Sequence, residues 1–189
     1  MKKAVIIFGS PRKNGNTMSL VREAQKGLKD NGAESEIFYL NDIKAKGCQA
    51  CYYCKKNDTD TCCLKDDMAA IHEAMKAADG IIVASPIYFC DMTSQTRMWA
   101  DRLFPFIDIK LNSKLPKGKK AGFIFTQNQP NADLFVTHMK DFEHAIGLVG
   151  YEFKGEVLGV NLATGSKSPA NERPELMKQA YELGKNLLK

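Results

Sequence analysis

The sequence predicts a doubly wound α/β domain, in which a five-stranded parallel sheet of order 2-1-3-4-5 carries helices on both faces. Short runs rich in Val, Ile and Phe, typical of strands buried on both faces, alternate along the chain with longer segments of helical apolar spacing. This alternation implies right-handed β-α-β crossovers and therefore a parallel sheet. The 189 residues are enough for one such domain, spanning 1–189, and too few for two comfortable ones.

The individual elements follow from the same patterns. The predicted strands are Lys3–Phe8, Glu34–Leu40, Gly80–Ser85, Lys120–Thr126 and a segment within Gly150–Val160. The predicted helices are Thr17–Lys29, Asp66–Ala78, about Ser94–Phe104, Asp133–Ile146 and Pro174–Leu188. A polar connection over 165–173 is expected to be mobile. Ligands of such sheets bind beyond the carboxyl ends of the strands, so the loops after strands 1, 3 and 4 matter most.

The composition argues against several classes of protein. Hydrophobic residues make up 44% and charged residues 26%, which are ordinary values for a globular protein. No apolar run approaches the roughly 20 residues that span a bilayer, and the short run near the first residue is not a signal peptide. The net charge of +5 comes from dispersed lysines rather than a basic stripe. We therefore expect a cytoplasmic protein that binds neither membranes nor nucleic acid.

The loop after the first strand has the features of a phosphate-binding turn. It reads Gly9-Ser-Pro-Arg-Lys-Asn-Gly-Asn-Thr17 and leads directly into a helix. Its glycines allow tight turns, its short polar side chains can donate hydrogen bonds, and a helix N-terminus offers unpaired N–H groups. It matches neither the Walker A pattern nor Gly-x-Gly-x-x-Gly. An ordinary turn capped by Thr17 is the alternative, and the position after a buried first strand favours phosphate.

The loop after the third strand suits a flat, apolar ring. It reads Ser85-Pro-Ile-Tyr-Phe-Cys-Asp-Met-Thr93 and places two aromatic residues after a proline. A rigid loop with aromatic walls and backbone N–H groups can hold such a ring and its polar edge. A packed turn with both aromatics in the core is the alternative. Together with the first loop, the segment favours a flavin.

These segments resemble those of a known family. Residues 9–17 are similar to the FMN phosphate loop of the NAD(P)H-dependent FMN reductase and iron–sulfur flavoprotein group, and residues 85–89 resemble its isoalloxazine loop. Residues 94–105 resemble the helix that follows. The resemblance covers nearly the whole chain. It implies a flavodoxin-like fold with tightly held FMN, usually in a homodimer with the flavins near the interface.

The resemblance also implies roles for particular residues. The phosphate would be held by Ser10, Arg12, Asn16 and Thr17, and the ring would be bordered by Pro86, Ile87, Tyr88 and Phe89. The third flavin loop would consist of Thr126, Gln127 and Asn128. NAD(P)H would visit transiently as electron donor. No general acid or base is predicted, because the flavin carries the chemistry.

The cysteines form an unusual cluster. Five of the six lie within sixteen positions, in a cysteine-rich loop at about 44–65. Their spacing resembles the compact motif of the iron–sulfur flavoproteins, which implies a [4Fe–4S] cluster held by Cys48, Cys51, Cys54 and Cys62, with Cys63 as the alternative fourth ligand. Structural zinc, a redox-active thiol pair and buried thiols are the other interpretations.

Two functional hypotheses follow. The first is an FMN-dependent NAD(P)H oxidoreductase that passes electrons to flavin, a quinone, a nitro or azo compound or a similar acceptor. The second is an iron–sulfur flavoprotein that carries electrons between its cluster and a redox-protein partner. The cysteine loop is the feature that separates them.

Overall fold

The computed structural model describes residues 1–162 and 168–189. The strands are β1 (Lys2–Phe8), β2 (Ala33–Tyr39), β3 (Gly80–Tyr88), β4 (Asp91–Met92), β5 (Lys120–Thr126) and β6 (Glu152–Gly159). The α-helices are α1 (Asn16–Asp30), α2 (Tyr53–Lys56), α3 (Met68–Ala77), α4 (Ser94–Asp101), α5 (Val136–Leu148) and α6 (Pro174–Asn186).

The long strands form a parallel sheet in the order β2-β1-β3-β5-β6. When only these five strands are counted, the order is 2-1-3-4-5, so the predicted fold class and topology are confirmed. The remaining strand, β4, has two residues and pairs antiparallel with the end of β3. The sequence did not predict β4, because two residues are too few to show a period.

Two apolar cores lie on opposite faces of the sheet. In β1, Val5 and Ile7 belong to one core, while Ile6 and Phe8 belong to the other. This is the alternation expected of a strand covered on both sides. The first core also contains residues of α3, α4 and α5, and the second contains residues of α1 and α6. The five long strands are thus covered by helices on both faces of the sheet.

Several predicted boundaries are corrected. The helix predicted to reach Phe104 ends at Asp101, and a 3-10 helix over Phe104–Phe106 carries Pro105 at its start. The helix predicted from Asp133 begins at Val136 after a 3-10 helix at Ala132–Phe135. Helix α2, within the cysteine-rich loop, was not predicted. Residues 165–167 of the polar connection lie outside the described residues, and Ala170–Glu172 form a 3-10 helix.

Within the described ranges, no helix is both long and apolar enough to cross a bilayer.

Candidate functional site

A cavity of about 350 Å³ lies at the carboxyl ends of β1, β3 and β5, where the topology predicts a ligand site. Its wall combines loops that are more than a hundred residues apart in sequence. All eleven residues proposed to contact a flavin line it, together with Gly15 and Leu162; the eleven are Ser10, Arg12, Asn16, Thr17, Pro86, Ile87, Tyr88, Phe89, Thr126, Gln127 and Asn128. We call this space the edge cavity.

One end of the edge cavity is the N-terminus of α1. The first main-chain bond of this helix runs from the Ser19 N–H to the Gly15 carbonyl, at 3.1 Å. The N–H groups of Asn16 and Thr17 precede that bond and have no acceptor within the helix. They carry the positive end of the helix dipole, and Ser10 lies almost fully buried beside them. This end of the cavity suits an anion.

The side chains of Asn16 and Thr17 are themselves engaged in the fold. The Asn16 amide donates to the Leu162 carbonyl at 3.1 Å and accepts from the Ala170 N–H at 2.9 Å. The Thr17 and Thr126 hydroxyls are 2.7 Å apart and buried. These contacts join α1 to the segments after β5 and β6. At both positions the side chain is engaged in the fold, and the main-chain N–H has no acceptor within the helix.

The opposite end is the hairpin that joins β3 to β4. Its two central residues, Phe89 and Cys90, have φ of 48° and 73°, in the left-handed region that non-glycine residues seldom adopt. The tight reversal leaves the Phe89 side chain fully exposed and the Tyr88 side chain 40% exposed, while Ile87 is buried beneath them. The hairpin therefore presents aromatic surface at the mouth of the cavity.

The loop after β1 and the loop after β3 are joined by a buried hydrogen-bond network that the sequence did not reveal. The Thr93 hydroxyl donates to the Gly9 carbonyl at 2.8 Å, and the Gly9 N–H donates to the Ala84 carbonyl at 2.8 Å. Thr93 also caps α4 by accepting from the Thr96 N–H. A Cβ at Gly9 would lie 1.8 Å from the Thr96 hydroxyl, so only glycine fits there. Two local signals bear on this network: Gly9 directly follows a buried strand, and Thr93 directly precedes the helix predicted from Ser94.

The loop after β5 places a polar group in the wall of the cavity. Gln127 is buried, and its amide nitrogen donates to the carbonyls of Gln129 and Asn131 at 3.1 and 2.7 Å. Its Oε1 atom has no hydrogen-bond partner among the residues that the structure describes. A buried acceptor without a partner is costly, and a bound molecule with a donor would satisfy it. The cavity therefore fits a ligand with an anionic end, an apolar body and hydrogen-bond donors.

A second, much smaller cavity lies within the cysteine-rich loop. All five clustered cysteines line it: Cys48, Cys51, Cys54, Cys62 and Cys63. The Cys51 and Cys63 sulfurs are 3.5 Å apart. Hydrogen bonds from the Tyr53 N–H and from Cys63 lower the pKa of the Cys51 thiol. Cys54 is buried, whereas Cys48, Cys51 and Cys63 are exposed. We call this space the cysteine cavity.

The cysteine cavity encloses about 20 Å³, which is room for about one water molecule. In residues 1–162 and 168–189, no three His, Cys, Asp or Glu side chains converge so as to hold a metal ion. A four-iron cluster needs one thiolate at each iron, so its ligand sulfurs must be spread around the cube. The thiol chemistry suits a cluster, but the enclosed space and the contact between two sulfurs do not fit one in this arrangement.

A buried arginine fixes the base of the cysteine-rich loop. Arg102 is 1% exposed and binds both carboxylate oxygens of Asp66, at 2.7 and 3.1 Å, and the Lys46 carbonyl at 2.7 Å. Burial opposes its charge, but the hydrogen-bonded Asp66 carboxylate and the nearby Cys62 sulfur outweigh burial and raise the pKa of the guanidinium. The sequence did not predict this pair, because nothing local relates residues 36 positions apart.

The three histidines lie away from both cavities. His72 is buried against Phe106, with ring centroids 4.8 Å apart, and desolvation lowers its pKa to about 4. His138 and His144 are exposed on α5. None of the three is among the residues that line the edge cavity.

A family model and several named proteins match this chain in sequence. The family model of the NADPH-dependent FMN reductases matches residues 2–145. A protein named iron-sulfur flavoprotein from Methanosarcina thermophila is 30% identical over 185 residues, covering 96% of this chain and 91% of the relative. Another protein of that name, from Methanocaldococcus jannaschii, is 40% identical over 114 residues, covering 60% of this chain and 58% of the relative. The second match therefore leaves much of the relative's length unmatched.

Solved structures share the fold at low sequence identity. An NAD(P)H:quinone oxidoreductase from Methanothermobacter marburgensis has a TM-score of 0.74 at 16% identity, covering 98% of this chain and 96% of that one. An FMN-dependent NADH-azoreductase from Bacillus anthracis, solved in complex with FMN, has a TM-score of 0.65 at 15% identity, with the same coverage. Since the family match spans most of the sequence and the fold agrees, this chain belongs to the NADPH-dependent FMN reductase family.

Proposed function

We propose that this chain binds FMN in the edge cavity and acts as an NAD(P)H-dependent oxidoreductase. Its electrons would pass to a flavin, a quinone, a nitro or azo compound, or a redox protein. The observation that carries the proposal is that three loops far apart in sequence line one cavity, with an anion-binding end and an aromatic end. Membership of the FMN reductase family supports it.

The phosphate of FMN would lie at the N-terminus of α1. The main-chain N–H groups of Asn16 and Thr17 would donate to it, and the Ser10 hydroxyl would add a third donor. Arg12, at the rim, would contribute positive charge. The side chains of Asn16 and Thr17 would act indirectly, by holding the segments around Leu162 and Thr126 against the helix.

The flavin ring would lie against the hairpin after β3. Pro86, Ile87, Tyr88 and Phe89 would border it, and the unpartnered Oε1 of Gln127 would accept a hydrogen bond from the bound molecule. Bound FMN supplies the chemistry of accepting a hydride from NAD(P)H and releasing electrons one or two at a time. The contribution of the protein would be to orient the ring and leave one face open, which the exposed Phe89 at the cavity mouth favours.

Two measurements test the proposed activity: the flavin content per chain of the purified protein, and the anaerobic bleaching of the flavin spectrum by NADH and by NADPH. Ser10→Asp places a negative charge at the phosphate end, and we expect FMN affinity to fall about 10- to 100-fold. Affinity for riboflavin, which lacks the phosphate, should change much less. Ser19→Asp, one turn along α1 and outside the cavity, is the matched control.

A colourless protein that takes up no added FMN would refute the proposal. Equal loss of FMN and riboflavin affinity in Ser10→Asp would refute the placement of the phosphate. Full flavin occupancy without bleaching by either nucleotide would leave the flavin site standing and remove NAD(P)H as the donor.

As a second candidate function, we propose an iron–sulfur flavoprotein that exchanges electrons between FMN and a [4Fe–4S] cluster on the cysteine-rich loop. The presence of five cysteines in the lining of one cavity favours it, as do the names of the matched relatives. The loop would have to open, separating Cys51 from Cys63, to make room. Cys48, Cys51, Cys54 and Cys62 would be the ligands, with Cys63 as the alternative fourth ligand.

Iron and acid-labile sulfide, measured per chain after anaerobic purification, test this second candidate. Cys62→Ser should lose the iron while keeping the flavin, and the neighbouring Cys63→Ser should keep both. Iron-free wild-type protein, or equal iron loss in the two variants, would contradict the ligand set.

A further inference from the structure

We propose that Cys51 and Cys63 form a reversible dithiol–disulfide site, a redox centre separate from the edge cavity. The proposal goes beyond the flavin chemistry and does not depend on it. It concerns the fifth clustered cysteine, Cys63, which a four-ligand cluster leaves unused.

The geometry of the pair supports direct bond formation. The two sulfurs are 3.5 Å apart, in contact but not bonded. A disulfide bond is about 2.05 Å long, so closing it requires a movement of about 1.5 Å, within reach of side-chain rotation in an exposed loop. Both thiols are exposed, so a small oxidant can reach them. The pair closes a loop of limited length, because the residues are twelve positions apart.

The other cysteines are placed less favourably for this reaction. Cys54 is buried, and Cys62 is half-buried near the guanidinium of Arg102. Cys90 lies in the hairpin between β3 and β4, which is a different part of the molecule. Among the described residues, no second hydrogen bond between cysteine sulfurs is found. The pairing is therefore selective.

The oxidation is a thiol–disulfide exchange with a low-molecular-weight disulfide. The thiolate of one cysteine attacks a sulfur of the reagent, forms a mixed disulfide and releases the first reagent thiolate. The thiolate of the other cysteine then attacks the protein sulfur of the mixed disulfide and releases the second. The pair loses two protons and two electrons, and the reagent gains both as two thiols.

The closed disulfide has a consequence for the cysteine cavity. A four-iron cluster would need Cys51 as a thiolate, and the disulfide removes it. Oxidation of the pair and binding of such a cluster are therefore mutually exclusive. Cys63 gives the loop a defined oxidised state when no metal occupies it.

The test uses the full chain with its flavin content recorded. Iron is removed with a chelator under reductant, and the reductant is exchanged for oxidised glutathione. Free thiols are alkylated, and the peptides are mapped without reduction. We expect a peptide linked through Cys51 and Cys63 as the main cross-link. In Cys63→Ser this link should be lost, and a mixed disulfide at Cys51 should accumulate at least about tenfold more, because no neighbouring thiol at millimolar effective concentration resolves it.

Cys90→Ser is the matched control, since it removes another exposed thiol and should keep the link. A main cross-link through Cys48, Cys54 or Cys62 would overturn the assignment. So would separate, stable mixed disulfides on Cys51 and Cys63 of the wild-type chain. Because the map does not depend on flavin occupancy, failure here and failure of FMN binding are read independently.

Discussion

The edge cavity and the cysteine cavity are built in opposite ways. The edge cavity joins three loops that follow β1, β3 and β5, and the parallel sheet brings the loops together. Buried bonds such as those from Thr93 to Gly9 and from Thr17 to Thr126 then fix them to one another. Its shape is therefore tied to the stability of the whole sheet.

The cysteine cavity is instead formed largely by one continuous loop between β2 and α3. Ala50 and Tyr52 adopt left-handed backbone conformations within it, so the chain reverses direction between the cysteines. The loop is anchored at its base by Arg102 and along its length by Lys55, whose amine donates to the carbonyls of Phe104 and Ile107. Local unfolding of such a loop is expected to cost less than unfolding of the sheet.

The difference shows how one chain can hold a rigid site and an adaptable one. The edge cavity is preorganised for a ligand of fixed shape, which minimises the ordering cost of binding. The cysteine-rich loop can change its arrangement with the redox state of its thiols while the sheet stays intact. Substitutions in the two regions should accordingly have separable effects.

The largest expected effect comes from Gly9→Ala. The new Cβ would lie 1.8 Å from the Thr96 hydroxyl, and the Thr93 hydroxyl is also close. The loop after β1 must therefore move away from the segment after β3. We expect the free energy of unfolding to fall by about 3 kcal/mol and FMN affinity to fall at least about 30-fold. Urea unfolding and flavin titration measure the two effects.

Gly47→Ala, in the cysteine-rich loop, is the control for Gly9→Ala, because a Cβ there meets nothing within 4 Å. It should change neither quantity appreciably. Normal FMN affinity in Gly9→Ala would show that the contact between the two loops does not shape the cavity.

The next effect is a pH dependence that arises at His72, beneath the cysteine-rich loop. Desolvation, followed by the positive charges of Arg102 and Lys76, lowers its pKa from 6.5 to about 4, although Asp66 acts in the opposite sense. The folded state therefore disfavours the protonated ring. The free energy of unfolding should therefore be highest above about pH 6.5 and should fall by about 3 kcal/mol as the pH drops to 4.

Urea unfolding of the wild type and of His72→Leu between pH 7 and pH 4 measures this effect, and the variant should lack the extra loss. His138→Leu, at an exposed position, should keep the wild-type profile. Parallel profiles for wild type and His72→Leu would mean that His72 is not the source.

A smaller effect is expected from Arg102→Met, which removes the anchor of the cysteine-rich loop. Asp66 would lose its partner, but its side chain is 15% exposed and can regain some water. We therefore expect a loss of about 2 kcal/mol, below the range for fully buried pairs. The loop should become more sensitive to limited proteolysis, while FMN affinity should stay within about twofold, because the edge cavity is separate.

Arg97→Met, on α4, removes an exposed ion pair with Asp91 and should cost about 0.5 kcal/mol or less. A large drop in FMN affinity in Arg102→Met alone would show that the two cavities are coupled.

The smallest expected effect is a gain in stability from Cys90→Gly. Cys90 has φ of 73°, which costs a residue with a Cβ about 1–2 kcal/mol, and glycine removes most of that strain. Glycine also increases the entropy of the unfolded chain, so we expect a net gain of about 1 kcal/mol in urea unfolding. Cys90→Ala keeps the strain and should give no gain. A loss of stability in Cys90→Gly would mean that the thiol itself makes a stabilising contact.

The fold and much of the candidate site could be predicted because they follow from local patterns. Buried apolar runs predicted the strands, and the rule that ligands bind beyond the strands' carboxyl ends pointed to the loops that line the edge cavity. Short elements such as α2 and β4 were missed, because two to four residues carry too little periodicity. Arg102 with Asp66 was missed, because burial of a charge depends on neighbours that sequence order does not specify.

The sequence by itself determined the parallel sheet, the order of its strands, the polar turn before α1 and the spacing of the cysteines. Only the tertiary structure decided that the Asn16 and Thr17 side chains hold the fold while their N–H groups stay available, and that Cys63 lies against Cys51. The physical reason is the distance along the chain over which each kind of interaction acts. Apolar periodicity and turn chemistry act over a few residues, whereas hydrogen-bond pairing and sulfur contacts depend on which distant segments the packed sheet brings together.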